Sequence, residues 1–157
     1  MSTLTPEMIE LLAGGVATQV GACEEGRPLL CRGLGAAVED DGRVVILLSG
    51  ASAFELLPVV ARTRRVAVVF AQPQSFRSLH VKGRDAVVGP GAGHRDLLER
   101  CHDAFHAQVA PYGFSREFTN SWYGLPAEDL AAIHFTPIAA WNQTPGPGAG
   151  EALALTR

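Results

Sequence analysis

The sequence predicts a mainly β fold with accessory helices (α+β), in which six antiparallel strands can close a β-barrel. Three observations carry this. Strand-like segments follow one another through tight turns at Glu24-Glu25-Gly26-Arg27 and Asp40-Asp41-Gly42, which favours antiparallel pairing. The order of elements is helix, three strands, helix, two strands, long helix, final strand, too irregular for a doubly wound parallel sheet. Six strands of such lengths are enough for a small barrel.

The elements are justified in chain order. Thr5-Pro6-Glu7 starts a helix over 5–13: Thr5 caps, Pro6 fits the first helical position and Glu7 suits the positive end of the dipole. Met8, Ile9, Leu11 and Leu12 give it an apolar stripe, and Gly14-Gly15 ends it. Val16 to Cys23 reads as a strand and Pro28 to Glu39 as a second, with an interruption at Gly33 or Gly35. Arg43 to Ser49 is a strongly apolar third strand. Ser52 is placed to cap a helix through Arg62 with Phe54, Leu56, Leu57 and Val60 inward, although Pro58 sits oddly within it. Arg65 to Ala71 is apolar almost throughout and reads as a strand buried on both faces.

The fifth strand runs from about Arg77 to Val88. Alternation puts Ser78, His80, Lys82 and Arg84 on one face and Leu79 and Val81 on the other. His94 to Val109 is the strongest helix signal, with Leu97, Leu98, Cys101, Ala104 and Phe105 at helical spacing. Pro111 to Gly124 is aromatic-rich and carries no clear assignment. A short helix near 127–131 precedes a last strand, Ala132 to Trp141. We expect one domain over 1–157, comprising an N-terminal helical segment 1–14, a long helix 94–110 and a Pro/Gly-rich tail 144–157.

Of the 157 residues 47% are hydrophobic and 18% charged, as in compact globular chains. The net charge of −3 argues against a general nucleic-acid binder. Cys23, Cys31 and Cys101 are odd in number and widely spaced, which reads as reduced thiols, with a Cys23–Cys31 pairing across a hairpin left open. No signal peptide and no run of about 18 apolar residues is evident, so a cytoplasmic protein without a membrane partner is expected.

His94, His102 and His106 share a helix, but His102 and His106 lack the third ligand and intervening glutamate of a zinc signature, so no metal site is assigned. Gly89-Pro90-Gly91-Ala92-Gly93 lacks the spacing of a phosphate loop. No G-x-S-x-G elbow exists, and no catalytic residue is assigned. The strongest constellation is an anion site. Arg32 is the one cation of its strand's apolar stretch, Ser49 ends the third strand, and Arg77, Ser78, His80 and Lys82 come from the fifth. If those strands adjoin, cations and hydroxyls converge as a phosphate requires. A merely solvated or dimer-facing polar surface is the other reading.

In order along the chain, Val16-Ala17-Thr18, Gly26-Arg27-Pro28 with Arg32, the apolar strand to Ser49, Arg65 to Phe70, and Val81-Lys82-Gly83 resemble the pyridoxamine 5′-phosphate oxidase-like family, the FMN-binding split β-barrels. His134-Phe135-Thr136-Pro137 and Gln143 to Gly150 resemble an uncharacterised branch of it. The resemblance implies a six-stranded antiparallel split β-barrel of the FMN-binding type, a homodimer, and FMN held between subunits. It implies that Arg32 contacts the flavin phosphate region, Ser49 lies near the isoalloxazine ring, and Ser78 replaces a flavin-contacting glutamine. Arg77, His80 and Lys82 join the expected cofactor site, and Trp141 is placed to stack on the ring or on the partner subunit. Ala37 replaces a family lysine, and Ala53 and Phe54 stand near a family Arg-Lys pair, so two or three phosphate-binding cations are missing. The expected function is therefore an FMN-binding flavoprotein, an oxidoreductase acting on an unidentified small molecule, and not a true pyridoxamine phosphate oxidase. A cofactor-free or other-ligand-binding dimer is the alternative. A haem-binding relative, using His80, His94, His102, His106 or His134, is the third.

Overall fold

The computed structural model describes residues 2–156. Among these, ten strands form two antiparallel sheets with four α-helices packed on them. The chain runs α1 (Pro6–Ala13), β1 (Ala17–Glu24), β2 (Arg27–Gly33), β3 (Gly35–Val38), β4 (Val44–Ser49), α2 (Leu56–Thr63), β5 (Val66–Ala71), β6 (Ser78–Gly83) and β7 (Val87–Pro90). It continues through α3 (Arg95–Val109), α4 (Arg116–Tyr123), β8 (Leu130–Phe135), β9 (Pro137–Asn142) and β10 (Ala152–Leu153).

The local signals act as expected at several points. The Thr5 side chain caps α1 by accepting the Met8 amide at 3.4 Å. In the β1–β2 turn Glu25 and Gly26 both take positive φ, 50° and 78°, the geometry that matches the twist of the flanking strands. All three cysteines are free thiols.

The six-stranded sheet has the order β10-β9-β6-β5-β1-β2, and the four-stranded sheet β3-β4-β8-β7. Three of the six long strands expected from the sequence break in two. The second becomes β2 and β3 around Leu34, the fifth becomes β6 and β7, and the last becomes β8 and β9 around Thr136. Each broken strand leaves one sheet and enters the other, so the strands form a ring: β9-β6-β5-β1-β2, then β3-β4-β8 and back to β9. A barrel of only six strands must bend sharply at its corners. Glycines flank the Leu34 corner, and the β6–β9 register shifts at Lys82/Gly83.

Other expectations are corrected. β5 is not buried on both faces: Val66, Val68 and Phe70 point inward, whereas Ala67, Val69 and Ala71 stay half-exposed. The strand buried on both faces is β4. Its Val44, Ile46 and Leu48 enter the barrel interior, and Val45 and Leu47 enter a second core under α3 and α4. Helix α2 begins at Leu56, not after Ser52, and Phe54 is 69% exposed. Pro58 then lies in the first turn, where its missing N–H is not needed. The aromatic stretch without assignment contains α4, capped by Ser115, whose hydroxyl accepts the Phe118 amide at 3.1 Å. The tail after Gly150 returns as β10 beside β9.

Two barrel corners are latched together. Asp85, between β6 and β7, accepts from the Thr136 amide at 2.8 Å and the Thr136 hydroxyl at 2.7 Å, between β8 and β9. Burial alone would raise the Asp85 pKa. The Thr136 bonds, with the Arg43 charge nearby, outweigh it and hold the carboxyl below its usual range. A folded pKa below the unfolded one means that the latch stabilises at neutral pH and is lost as pH falls through the folded pKa. Asp85→Asn is expected to lower stability at pH 7 by about 1–2 kcal/mol. The gap to wild type should close below about pH 4, as read by denaturant unfolding across pH.

Candidate functional site

The expected cofactor residues separate into three places. Arg32 and Ser49 come together. They line a cavity of about 220 Å³ with Leu34, Ser52, Ser121 and Trp122. The Arg32 guanidinium lies 3.8 Å from the centroid of the Trp122 ring and 5.3 Å from that of Phe105. Its Nε is buried and, among the described residues, without a hydrogen-bond partner. Trp122 of α4 and Phe105 of α3 thus hold the arginine against an aromatic wall, with donor capacity to spare at Nε. Beneath this wall Tyr123 stacks on His102, ring centroids 4.3 Å apart, and His102 Nε2 pairs with Thr119 Oγ1 at 2.8 Å. Burial pushes the Tyr123 hydroxyl up to about 12, with the Arg32 charge pulling the other way, and burial lowers the His102 pKa.

The Ser49 hydroxyl is hydrogen-bonded within the protein. It donates to Asp129 Oδ2 at 2.6 Å and accepts the Ser52 amide at 3.1 Å, while Asp129 Oδ1 takes the Ala51 amide at 2.7 Å. These bonds fix the 49–52 loop that forms one wall of the cavity. The hydroxyls beside Arg32 are those of Ser52 and Ser121, the latter donating to the Phe118 carbonyl at 2.7 Å, and no local sequence pattern singles them out.

His80, Lys82 and Trp141 form the second group. His80 and Trp141 are cross-strand partners with ring centroids 5.1 Å apart, and Lys82 Nζ lies 4.9 Å from the Trp141 centroid. Alternation along β6 is as read from the sequence: Leu79 and Val81 are buried, and Ser78, His80 and Lys82 face outward. Arg84 lies beyond the end of β6. Burial, then the Lys82 charge, lowers the His80 pKa. This outer face carries a register row Trp141, His80, Val69, Gln19, Arg32 across five strands. The neighbouring row is Ala139, Lys82, Ala67, Gly21, Leu30, with Leu30 78% exposed.

Arg77 and Ser78 belong to neither group. Arg77 pairs with Glu7 at 3.3 Å, and the Ser78 hydroxyl donates to the Phe76 carbonyl at 2.9 Å. Both line a separate hollow of about 500 Å³ between α1 and the end of β9. This hollow is larger than the Arg32 cavity, but its one cation is already paired to a carboxylate. Of the positions where family cations are missing, Ala53 is buried and Phe54 points to solvent.

No protein-family model matches the chain, and no curated protein matches it. Solved structures do. HupZ of Group A Streptococcus aligns at a TM-score of 0.57 and 12% identity, over 94% of this chain and 100% of that one. General Stress Protein 26 of Bacillus anthracis str. Sterne aligns at 0.55 and 12%, over 95% and 97%. A pyridoxamine 5′-phosphate oxidase-related, FMN binding protein of Nostoc punctiforme PCC 73102 aligns at 0.51 and 14%, over 96% and 98%. The fold is the split β-barrel of these proteins. Within this split barrel two observations that bear on a flavin nucleotide are the orphaned Arg32 Nε and the outer face of the larger sheet, where His80, Lys82 and Trp141 meet. No helix among the described residues is long and apolar enough to cross a membrane.

Proposed function

We propose that this protein binds FMN and acts as a flavin-dependent oxidoreductase on a small molecule, as a homodimer in the cytoplasm. The observation that carries the reading is Arg32: a buried, partnerless Nε on a guanidinium clamped by Trp122, opening on a cavity with Ser52 and Ser121. A planar cation with hydroxyls beside it suits a phosphate monoester. The cavity is large enough for that end of a flavin nucleotide.

The outer sheet face supports the dimer. Ala67, Val69, Ala71, Gly21, Ala139 and the exposed Leu30 make a patch of apolar and small side chains of the kind a second copy covers. Arg32 and Trp141 stand four strand spacings apart in one register row, about 19 Å along the sheet. Both serve one flavin most simply when they come from different copies. Lys82, His80 and Trp141 would then line the ring side, while Arg32 and Ser52 hold the phosphate. Bound FMN supplies the hydride or electron chemistry, and the protein supplies position and charge.

The test is a titration of the purified protein with FMN, followed by absorbance and by quenching of flavin fluorescence, with haem as a parallel arm. Saturable FMN binding at micromolar concentrations is expected. No FMN binding in that range ends the flavin reading, and a Soret band on haem addition alone would install the haem reading in its place. A monomer by light scattering would remove the between-copy site.

A further inference from the structure

A second cluster of chemistry-bearing side chains lies away from Arg32, on the face of the four-stranded sheet that carries α3. Glu39 sits at the end of β3, entering the turn to β4. His134 is in β8, paired on one side with Val45 of β4 and on the other with Val87 of β7. His94 closes a single turn of 3-10 helix over Ala92–His94, immediately before α3. Residues 40 to 95 positions apart in the chain thus meet at one place. Each offers a ligand atom, and these atoms all lie within 4.8 Å of one another. Glu39 Oε2 and His134 Nδ1 are 2.8 Å apart, and the His94 and His134 rings are 5.4 Å apart between centroids.

We propose that Glu39, His94 and His134 bind one zinc-class divalent transition-metal ion, with three protein ligands and the remaining coordination left to solvent.

The donor set selects the ion class. Two imidazoles with one carboxylate match zinc and its first-row neighbours, whereas magnesium and calcium require oxygen-rich shells. All three side chains are half-buried, deep enough to be held in place and open enough for an ion to enter. The supports are rigid. The Glu39 amide donates to the Arg43 carbonyl at 2.8 Å and the Gly42 amide to the Glu39 carbonyl at 2.8 Å, which fixes the turn. The His94 amide donates to the Gly91 carbonyl at 2.8 Å. Before metal arrives, Glu39 sets the orientation of the His134 ring, and His94 makes no side-chain hydrogen bond among the described residues. The nearby cation, Arg43, is directed elsewhere: its guanidinium donates to the His134 backbone carbonyl at 3.0 Å, with Asp85 close enough to feel its charge. Three ligands from three elements, one of them already hydrogen-bonded to another, form a pre-organised site. The proposal is independent of the flavin reading, because none of its residues lines the Arg32 cavity.

The experiment is calorimetric titration of the reduced, chelator-stripped protein with Zn(II), repeated with Co(II) by absorbance and with Mg(II) and Ca(II). One zinc per chain is expected, with no response to magnesium or calcium. His94→Gln, on a surface turn that should fold normally, is expected to weaken zinc at least about tenfold. Glu39→Gln keeps a hydrogen bond to His134 but loses the charge, and it should weaken zinc as well. Circular dichroism melts of both variants report the fold. The proposal is overturned if zinc does not bind, or if it binds equally well to both variants. A thiolate charge-transfer band with Co(II) would show that a cysteine, such as the exposed Cys23, had taken the ion instead.

Discussion

Replacing Arg32 by alanine is expected to cut FMN affinity by about a hundredfold or more, equivalent to losing one or two charge-assisted hydrogen bonds. The arginine is placed for this effect. Trp122 and Phe105 hold its guanidinium in place, so little side-chain entropy is lost when a phosphate arrives. Arg32→Lys separates the contributions: it keeps the charge but loses the planar fork and the buried Nε. An intermediate loss of affinity is expected for it. Arg77→Ala provides the contrast. Arg77 is paired to Glu7 in a different hollow, and its removal should leave FMN binding within about twofold of wild type. Fluorescence titration of the three variants checks all of this. An Arg32→Ala protein that binds FMN like wild type would leave the arginine as an aromatic clamp for α4 and nothing more.

Phe135→Ala is expected to destabilise the protein by about 3–5 kcal/mol, a large part of the stability of a domain this size. Phe135 is fully buried at the end of β8, and its ring fills the space that a side chain on Gly83 would occupy. Gly83→Ala should therefore also destabilise, because the added Cβ overlaps the ring. The two changes should not add. With the ring gone, the alanine methyl at 83 occupies part of the cavity, so the double variant should lose less stability than the two single losses summed. Denaturant midpoints of the four proteins measure the coupling, and strict additivity would show that the two residues do not share the space.

The six long strands were legible because their cues are local. Glu25-Gly26 and Asp41-Gly42 mark hairpins, and the alternation from Ser78 to Gly83 names the inner and outer faces of β6. The corner at Thr136 was hidden because the apolar pattern runs on through it. The one signal in residues 132–141 is Pro137, which cannot donate to a ladder and marks the start of β9. The β5 error had a similar source. Ala67, Val69 and Ala71 are apolar, and apolar residues read as buried whether or not the chain covers them. Helix α4 did carry signals, a Ser115 cap and Phe114, Phe118 and Trp122 at intervals of four, but the surrounding aromatics obscured them. The site was legible only in part. Arg32 stood out as a cation in an apolar strand, but its clamp, Trp122, lies ninety residues away. The Glu39, His94 and His134 cluster is likewise a product of topology, since no spacing in the sequence joins its members.

Three of the six long strands belong to both sheets, each entering one and leaving by the other. Neither sheet is therefore a separable unit. Melting the four-stranded sheet would take β3, β7 and β8 with it, and each is continuous with a strand of the larger one. β4 deepens this interdependence, because its two faces serve both cores. Partial opening of the body of the barrel would disrupt both cores at once, so the barrel should unfold as a single cooperative event. The β10 tail and the α4 segment that holds Arg32 lie outside the ring. Loosening α4 would release the arginine from its aromatic clamp while leaving the barrel intact, so the grip on a ligand and the survival of the fold can vary separately.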